Sequence, residues 1–281
     1  MKKIFCFSVI ICALIFLAGC NPNDQYAIEK EYWWLQRQIS RIFKNPNATP
    51  PNELERAVDK LQKFSDKHPK TGLGVESEFN IARLYIVKQE YEKARTYLKS
   101  LMDKYKESKA MLSELLFMSG NSYEIEDKWS QALEQYKQIL REYPLTLRGF
   151  NVPIYIAQHY KAKYQPDKMV AAYQEAIGHY RKLAAENAES PFGFKAKALV
   201  AQTYIFLSDW QNAVTALQET IEKYKDKISM DGLMMDMALI YNRELKDKVK
   251  ARETLQKLLA EYPDSQLVKT ATAFLKELDK K

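Results

Sequence analysis

Residues 114–144 read ELLFMSGNSYEIEDKWSQALEQYKQILREYP, and the spacing inside this stretch decides the fold class. Gly120 precedes Tyr123 by three residues, Ala132 follows Tyr123 by nine, and Tyr136 stands four beyond Ala132. Side chains three or four apart share one helix face. The small Gly120 lets a second helix come close, and Tyr123 fills the space beside it. Ala132 and Tyr136 lie on one face of a returning helix, which Pro144 cannot extend. The stretch predicts a helical hairpin.

The same arrangement recurs along the chain. Tyr85, Tyr123, Tyr160, Tyr204 and Tyr241 are separated by 38, 37, 44 and 37 residues, and Ala82, Gly120, Ala157, Ala201 and Ala238 precede them by three. Ala94, Ala132 and Ala213 follow nine residues after their Tyr, and Ala251 follows ten after. Leu98, Tyr136, Leu217 and Leu255 stand four beyond these. His68-Pro69 and Tyr262-Pro263 repeat the stop, and Ala57, Leu61 and Phe64 match the second half of an earlier unit. An opening helix is expected over 25–44, with Ile28, Tyr32, Leu35, Ile39 and Ile42 on one face. A closing helix is expected near 264–279, with Leu267, Ala271, Phe274 and Leu278 inward. The 44-residue interval holds seven extra residues, about two helical turns, and Met169 stands where the repeat has Ala. Val170, Tyr173, Ile177, Tyr180 and Ala184 keep an apolar spacing through it. One long helix near 167–187, protruding beyond its neighbours and ended by Pro191, is therefore expected. Eight Gly and ten Pro among 281 residues are too few for a turn-rich β fold.

Glu114 to Pro144, with Leu116, Gly120, Tyr123, Ala132, Tyr136 and Pro144 at matching offsets, resembles a tetratricopeptide repeat. The resemblance covers about residues 50 to 265. It implies an all-α, tetratricopeptide-type right-handed α-solenoid of about six helical hairpins plus a C-terminal capping helix. The units are longer than the usual repeat, and Tyr262-Pro263-Asp264-Ser265 leading to Ala271 is similar in style to the BamD (YfiO) outer-membrane assembly lipoproteins. That family's proteins are periplasmic scaffolds on the outer membrane, usually with five hairpins rather than six. The style is also similar to Tol–Pal-associated repeat proteins.

The N-terminus differs in kind. Lys2 and Lys3 precede an apolar run from Ile4 to Leu17, too short to span a bilayer comfortably and of the size of a secretory signal core. Leu17-Ala18-Gly19-Cys20 resembles a lipobox. The resemblance implies a signal peptide over 1–19, acylation of Cys20, a lipidated tether over 20–24 and a repeat body over 25–281. Cys6 and Cys12 lie within the leader, so the mature chain keeps no pair for a disulfide. Asn21 beside Cys20 implies, by analogy with Gram-negative sorting, delivery to the outer membrane facing the periplasm.

The net charge of +7 comes from interleaved cations and carboxylates, as in Glu29-Lys30-Glu31, the pattern of solvated helix faces. Nucleic acid is not an expected partner. The sequence holds no Gly-rich phosphate loop and no Gly-x-Ser-x-Gly elbow, so neither an enzyme nor a cofactor site is expected. His68, beside Pro69, is expected in a solvated turn. His159 and His179 fall on successive helices, but without Cys or a close His pair no metal site is expected.

Binding is the remaining role. In tetratricopeptide proteins the first helix of each hairpin lines the concave face. Projected here, that peptide-binding face comprises Phe79, Arg83, Phe117, Asn121, Glu124, Gln158, Lys161, Gln202, Asn242 and Arg243. Long polar side chains beside Phe suit an extended peptide. Of the carboxylate-clamp residues of chaperone-tail binders only Asn121 fits. The expected partners are envelope proteins or extended peptides in outer-membrane protein assembly; the alternative is an accessory lipoprotein for cell-wall or polysaccharide machinery. Trp33 and Trp34, about 100° apart on the first helix, are expected to be one buried and one free.

Overall fold

The computed structural model describes residues 25–280, so the leader, Cys20 and Asn21 lie outside the described residues. Among the described residues every regular element is helical. In chain order these are α1 (Gln25–Lys44), a 3-10 turn (Pro46–Ala48), α2 (Pro51–Lys67), α3 (Gly72–Val87), α4 (Tyr91–Lys104), α5 (Lys109–Ile125), α6 (Trp129–Glu142) and α7 (Leu147–Ala162). They continue as α8 (Pro166–Glu186), α9 (Pro191–Phe206), α10 (Trp210–Tyr224), α11 (Asp231–Arg243), α12 (Lys248–Glu261) and α13 (Val268–Asp279). The all-α architecture of six hairpins and a final helix is as expected. The chain forms two compact units whose boundary follows Ala132, inside α6.

In the first unit Ile39, Ile42, Leu54, Ala57, Leu61, Ile81 and Leu84 join α1, α2 and α3 in one apolar cluster. Phe79, Ala82, Leu98, Leu101, Leu115 and Met118 join α3, α4 and α5 in another. The second unit has one continuous core from Phe150 to Leu278. The residues that define the repeat carry this packing: Ala82, Ala94, Ala132, Ala157, Ala213, Ala238 and Ala251 are wholly buried. So are Leu98, Tyr136 and Leu255. Interiors are packed to crystal-like density, and a larger side chain at such a contact costs about 1–3 kcal/mol.

Each hairpin from the second to the sixth turns on one non-glycine residue in the left-handed region: Gln89, Asp127, Tyr164, Ser208 and Lys246, with φ of 62°, 58°, 55°, 56° and 56°. The next residue's N–H donates to the carbonyl of the repeat tyrosine, from Glu90 to Tyr85 at 2.8 Å and from Asp209 to Tyr204 at 2.9 Å, for instance. In the last hairpin Asp247 reaches Tyr241 across one more residue. The late Ala251 therefore reflects an insertion in the turn.

The expected long helix is α8, of 21 residues against 14 or 15 for α4, α6, α10 and α12. Its added turns are packed rather than free, because Leu183 and Ala184 are buried. Tyr180 lies wholly inside and donates from its hydroxyl to the Phe150 carbonyl at 2.6 Å. Pro153 sits inside α7 and, having no N–H, leaves the carbonyl of Gly149, next to Phe150, without its helical donor. Pro191 does not end α8, which stops at Glu186; it opens α9, where a missing N–H costs nothing.

Three links between hairpins share a device. Thr71, Thr146 and Ser190 cap α3, α7 and α9, each accepting from the N–H of a glycine three residues on: Gly74 (3.0 Å), Gly149 (3.1 Å) and Gly193 (3.4 Å). The same hydroxyls donate back to the carbonyls of His68, Tyr143 and Asn187, just past the preceding helix. Each glycine Cα faces that carbonyl so closely that a Cβ would overlap the backbone oxygen. Helix propensity alone favours Gly→Ala by about 1 kcal/mol. Contact reverses the sign at Gly193, where Gly193→Ala is expected to destabilise by about 1–3 kcal/mol. Gly178→Ala, in the middle of α8, where an added Cβ meets nothing within 4 Å beyond the helix's own backbone, is expected to stabilise. Thermal unfolding of the two variants checks this, and an equal gain in Tm for both would sink the account.

Candidate protein-binding surfaces

In the first unit α3 and α5 carry half of the projected binding face. Arg83 donates from Nη1 to Glu76 at 2.7 Å and to Asn80 Oδ1 at 3.0 Å, while Asn80 Nδ2 donates to the Tyr32 hydroxyl of α1 at 3.0 Å. Burial, then the Glu76 charge, pushes the Tyr32 phenol up to about 12. Phe117, Asn121 and Glu124 are half-buried at intervals of four and three, so they share a face of α5. Phe79 does not belong to this face. Its ring is 6% exposed within the α3–α4–α5 cluster, because α3 is covered on both sides.

Two buried charges brace this unit. Arg95 of α4, 8% exposed, pairs with Glu92 at 2.5 Å and with Glu126 at 2.8 Å, and its guanidinium lies 4.1 Å from the Tyr123 ring centroid. Burial opposes its charge, but the Glu92 and Glu126 carboxylates outweigh that and hold its pKa above the ordinary value. Glu78 of α3 is buried and bound by Lys104 and by the Tyr105 hydroxyl at 2.5 Å. Nothing in the repeat spacing singles out Arg95 or Glu78.

In the second unit Gln158 and Lys161 of α7, Gln202 of α9 and Arg243 of α11 are exposed, and Asn242 is half-buried. The concavities lie elsewhere. Arg181, Ala184, Ala185, Ala188, Lys197, Val200, Tyr204, Thr215, Ala216, Glu219 and Lys223 line a groove of about 230 Å³. Its walls are the second helices α8 and α10, and α9 is its floor. An equivalent groove of about 460 Å³ lies between α10 and α12 over α11, with Tyr241 and Met237 where the first has Tyr204 and Val200. Gln202 stands two residues from both Val200 and Tyr204, about 200° around α9, and so points away from the groove. On α9 the projected face and the groove are therefore on different sides.

The grooves differ in charge. Arg181, Lys197 and Lys223 against Glu219 make the first cationic, whereas Lys250 and Lys257 balance Glu222 and Glu253 in the second. Arg181 donates to the Tyr204 hydroxyl at 2.9 Å, which holds it above the α9 floor beside the alanines of the walls.

Two expectations fail on packing. His68 is not solvated: it caps the end of α2 at 4% exposure, with its ring 4.7 Å from Phe64 and Nε2 3.5 Å from Glu31. Trp33 and Trp34 are both exposed, at 48% and 54%, because α2 and α3 cover the other side of α1, where Ile28, Tyr32, Ile39 and Ile42 are buried. Among the described residues no group of three His, Cys, Asp or Glu is placed to hold a metal ion. No helix among them is long and apolar enough to cross a membrane.

A family model for the tetratricopeptide repeat matches residues 76–108, 114–146, 199–227 and 233–265. The chain carries tetratricopeptide repeats. The matched segments coincide with the hairpins α3–α4, α5–α6, α9–α10 and α11–α12, and the hairpin of the long α8 is left out. No curated protein sequence matches the chain. Among solved structures, BtubC (BKLC) from P. vanneervenii is similar at 15% identity, over 81% of this chain and 90% of that one, with a TM-score of 0.42. A tetratricopeptide repeat protein from Parabacteroides merdae is similar at 14% identity, over 89% and 99%, with a TM-score of 0.33.

Two measurements test these sites. Arg95→Ala removes the buried guanidinium from between Glu92, Glu126 and the Tyr123 ring, while Glu126 keeps Lys128; denaturant unfolding is expected to show a loss of about 1–2 kcal/mol, mostly from lost packing. Arg95→Lys should recover only part, since a point charge cannot serve both carboxylates in the same plane; full recovery would show that charge alone suffices. His179 has a buried, unpartnered Nε2, and burial followed by Lys182 lowers its pKa. The unfolded chain then binds the proton more readily, so stability falls as pH drops below about 6.5. His179→Gln should flatten the slope just below that pH, and an unchanged slope would exclude His179 as its source.

Proposed function

We propose that this chain is a protein-binding scaffold of the bacterial envelope, tethered by lipid on Cys20 to the outer membrane and acting in outer-membrane protein assembly. The observation that carries the binding role is the pair of equivalent grooves in the second unit, each floored by a repeat tyrosine between two second helices. Their long, open form suits an extended segment whose alternate side chains enter apolar pockets and whose backbone meets polar rims. The excess of cations in the first groove favours an acidic segment there. Gln158, Lys161, Gln202, Asn242 and Arg243 of the second unit, and separately Arg83, Phe117, Asn121 and Glu124 of the first, offer other surfaces for a folded partner. The lipobox, Asn21 and the style of the repeat support the envelope setting.

The test is isolation of the wild-type protein from detergent-solubilised membranes, beside Cys20→Ser and a Lys197→Glu, Lys223→Glu double variant. A β-barrel insertase is expected to co-purify with the wild type, to be lost with Cys20→Ser and to be depleted with the groove variant. Cell-wall or polysaccharide enzymes in its place would overturn the assembly role while leaving the scaffold. Full retention by the groove variant would move binding to the other surface.

A further inference from the structure

Helix α1 has two unlike faces. Ile28, Tyr32, Ile39 and Ile42 are buried against the first unit. Tyr26, Lys30, Trp33, Arg37, Arg41 and Lys44 are all exposed, at intervals of four, three, four, four and three, and so make a single stripe. The stripe holds four cations, and the exposed Glu29 at its flank accepts from Gln25 Nε2 at 2.6 Å. Trp33 and Trp34 meet edge to face, their ring centroids 4.7 Å apart at 77°. The Arg37 guanidinium lies 4.9 Å from one ring centroid and 5.6 Å from the other. With Gln36 and Ser40, the residues Trp33, Arg37, Arg41 and Lys44 line an open furrow of about 300 Å³.

We infer that this stripe lies on an anionic lipid surface, with the indoles at headgroup level and Lys30, Arg37, Arg41 and Lys44 against lipid phosphates. Tryptophan prefers the membrane–water interface because its ring is apolar and its N–H needs a polar partner. Cations beside an anionic leaflet add attraction that a neutral leaflet does not supply. Twenty residues give α1 a length of about 30 Å, enough to lie along such a surface. The inference rests on the lipid-anchored reading: Gln25 is five residues from Cys20, and a fully extended chain of that length reaches only about 17 Å. An acylated Cys20 would hold α1 within that distance of the bilayer, where a stripe with an excess of cations is matched by phosphates.

The full chain, extracted from membranes, is to be checked for acylation of Cys20 by mass spectrometry. It is then reconstituted into vesicles of phosphatidylcholine alone or mixed equally with phosphatidylglycerol, with bromine on the upper acyl chains as quencher. Quenching of tryptophan fluorescence is expected in the mixed vesicles only, to weaken with salt, and to vanish in Trp33→Phe, Trp34→Phe, which keeps Trp129 and Trp210. Arg37→Gln and Arg41→Gln should each lower the ratio of docked to undocked chains about fivefold. An acylated chain that shows no quenching in either vesicle overturns the inference and leaves the anchor standing. Equal quenching in both vesicles overturns the role of the cations. Quenching of a chain that proves unacylated keeps the lipid-facing stripe and removes the anchor, and absence of both removes both.

Discussion

Within each unit the architecture depends on how closely two helix backbones can approach at an alanine or glycine. Ala82 and Ala94, Ala201 and Ala213, and Ala238 and Ala251 place methyl groups where longer side chains would hold the helices apart. Once the helices are that close, the space beside the small residue has the dimensions of an aromatic ring, and the repeat tyrosine occupies it. The tyrosine's backbone also closes the hairpin turn through its carbonyl. One close contact thus determines hairpin geometry, the identity of its neighbour and the point where the chain reverses.

The binding surfaces follow from the same contact. A first helix drawn close to two second helices leaves its outer flank exposed between them, and the flank that carries Tyr204 or Tyr241 becomes a groove floor. Cations recur above these rings: Arg95 at Tyr123, Lys168 at Tyr160, Arg181 at Tyr204 and Lys250 at Tyr241. In the first unit this position is sealed by the buried Arg95 and its two carboxylates. In the second it stays open, with Arg181 donating to the Tyr204 hydroxyl. The same tyrosine can therefore serve stability in one unit and recognition in the other, depending on whether carboxylates neutralise the cation above it.

The hairpins, their order and the two terminal helices were legible in the sequence because they depend on local spacing. Alanine and tyrosine at three-, four- and nine-residue intervals express helix geometry directly. Features made by residues far apart in the chain were not. His68 looks like a turn residue until Phe64 and the distant Glu31 enclose it. Phe79 looks available until α4 and α5 cover it. Both tryptophans are exposed because Ile28 and Tyr32, not an indole, make the contact with Phe64. The Thr/Ser-x-x-Gly links were visible as letters, but the reason for glycine lies in a carbonyl six residues earlier and was not. The grooves escaped because the second helices wall them, and the projection followed the first helices alone.

The two irregular hairpins obey different rules of length. Helix α8 is longer by seven residues, and seven steps of 100° return the helix to within about 20° of its starting orientation. Tyr180, Leu183 and Ala184 can therefore continue the apolar side begun by Tyr173 and Ile177. The last hairpin is longer by one, a step that would rotate every later side chain out of register inside a helix; it falls in the turn around Lys246, before α12 begins. Length in such a chain is quantised within helices and continuous between them. Divergence by insertion is then channelled to hairpin tips one residue at a time, or to helices in whole heptads.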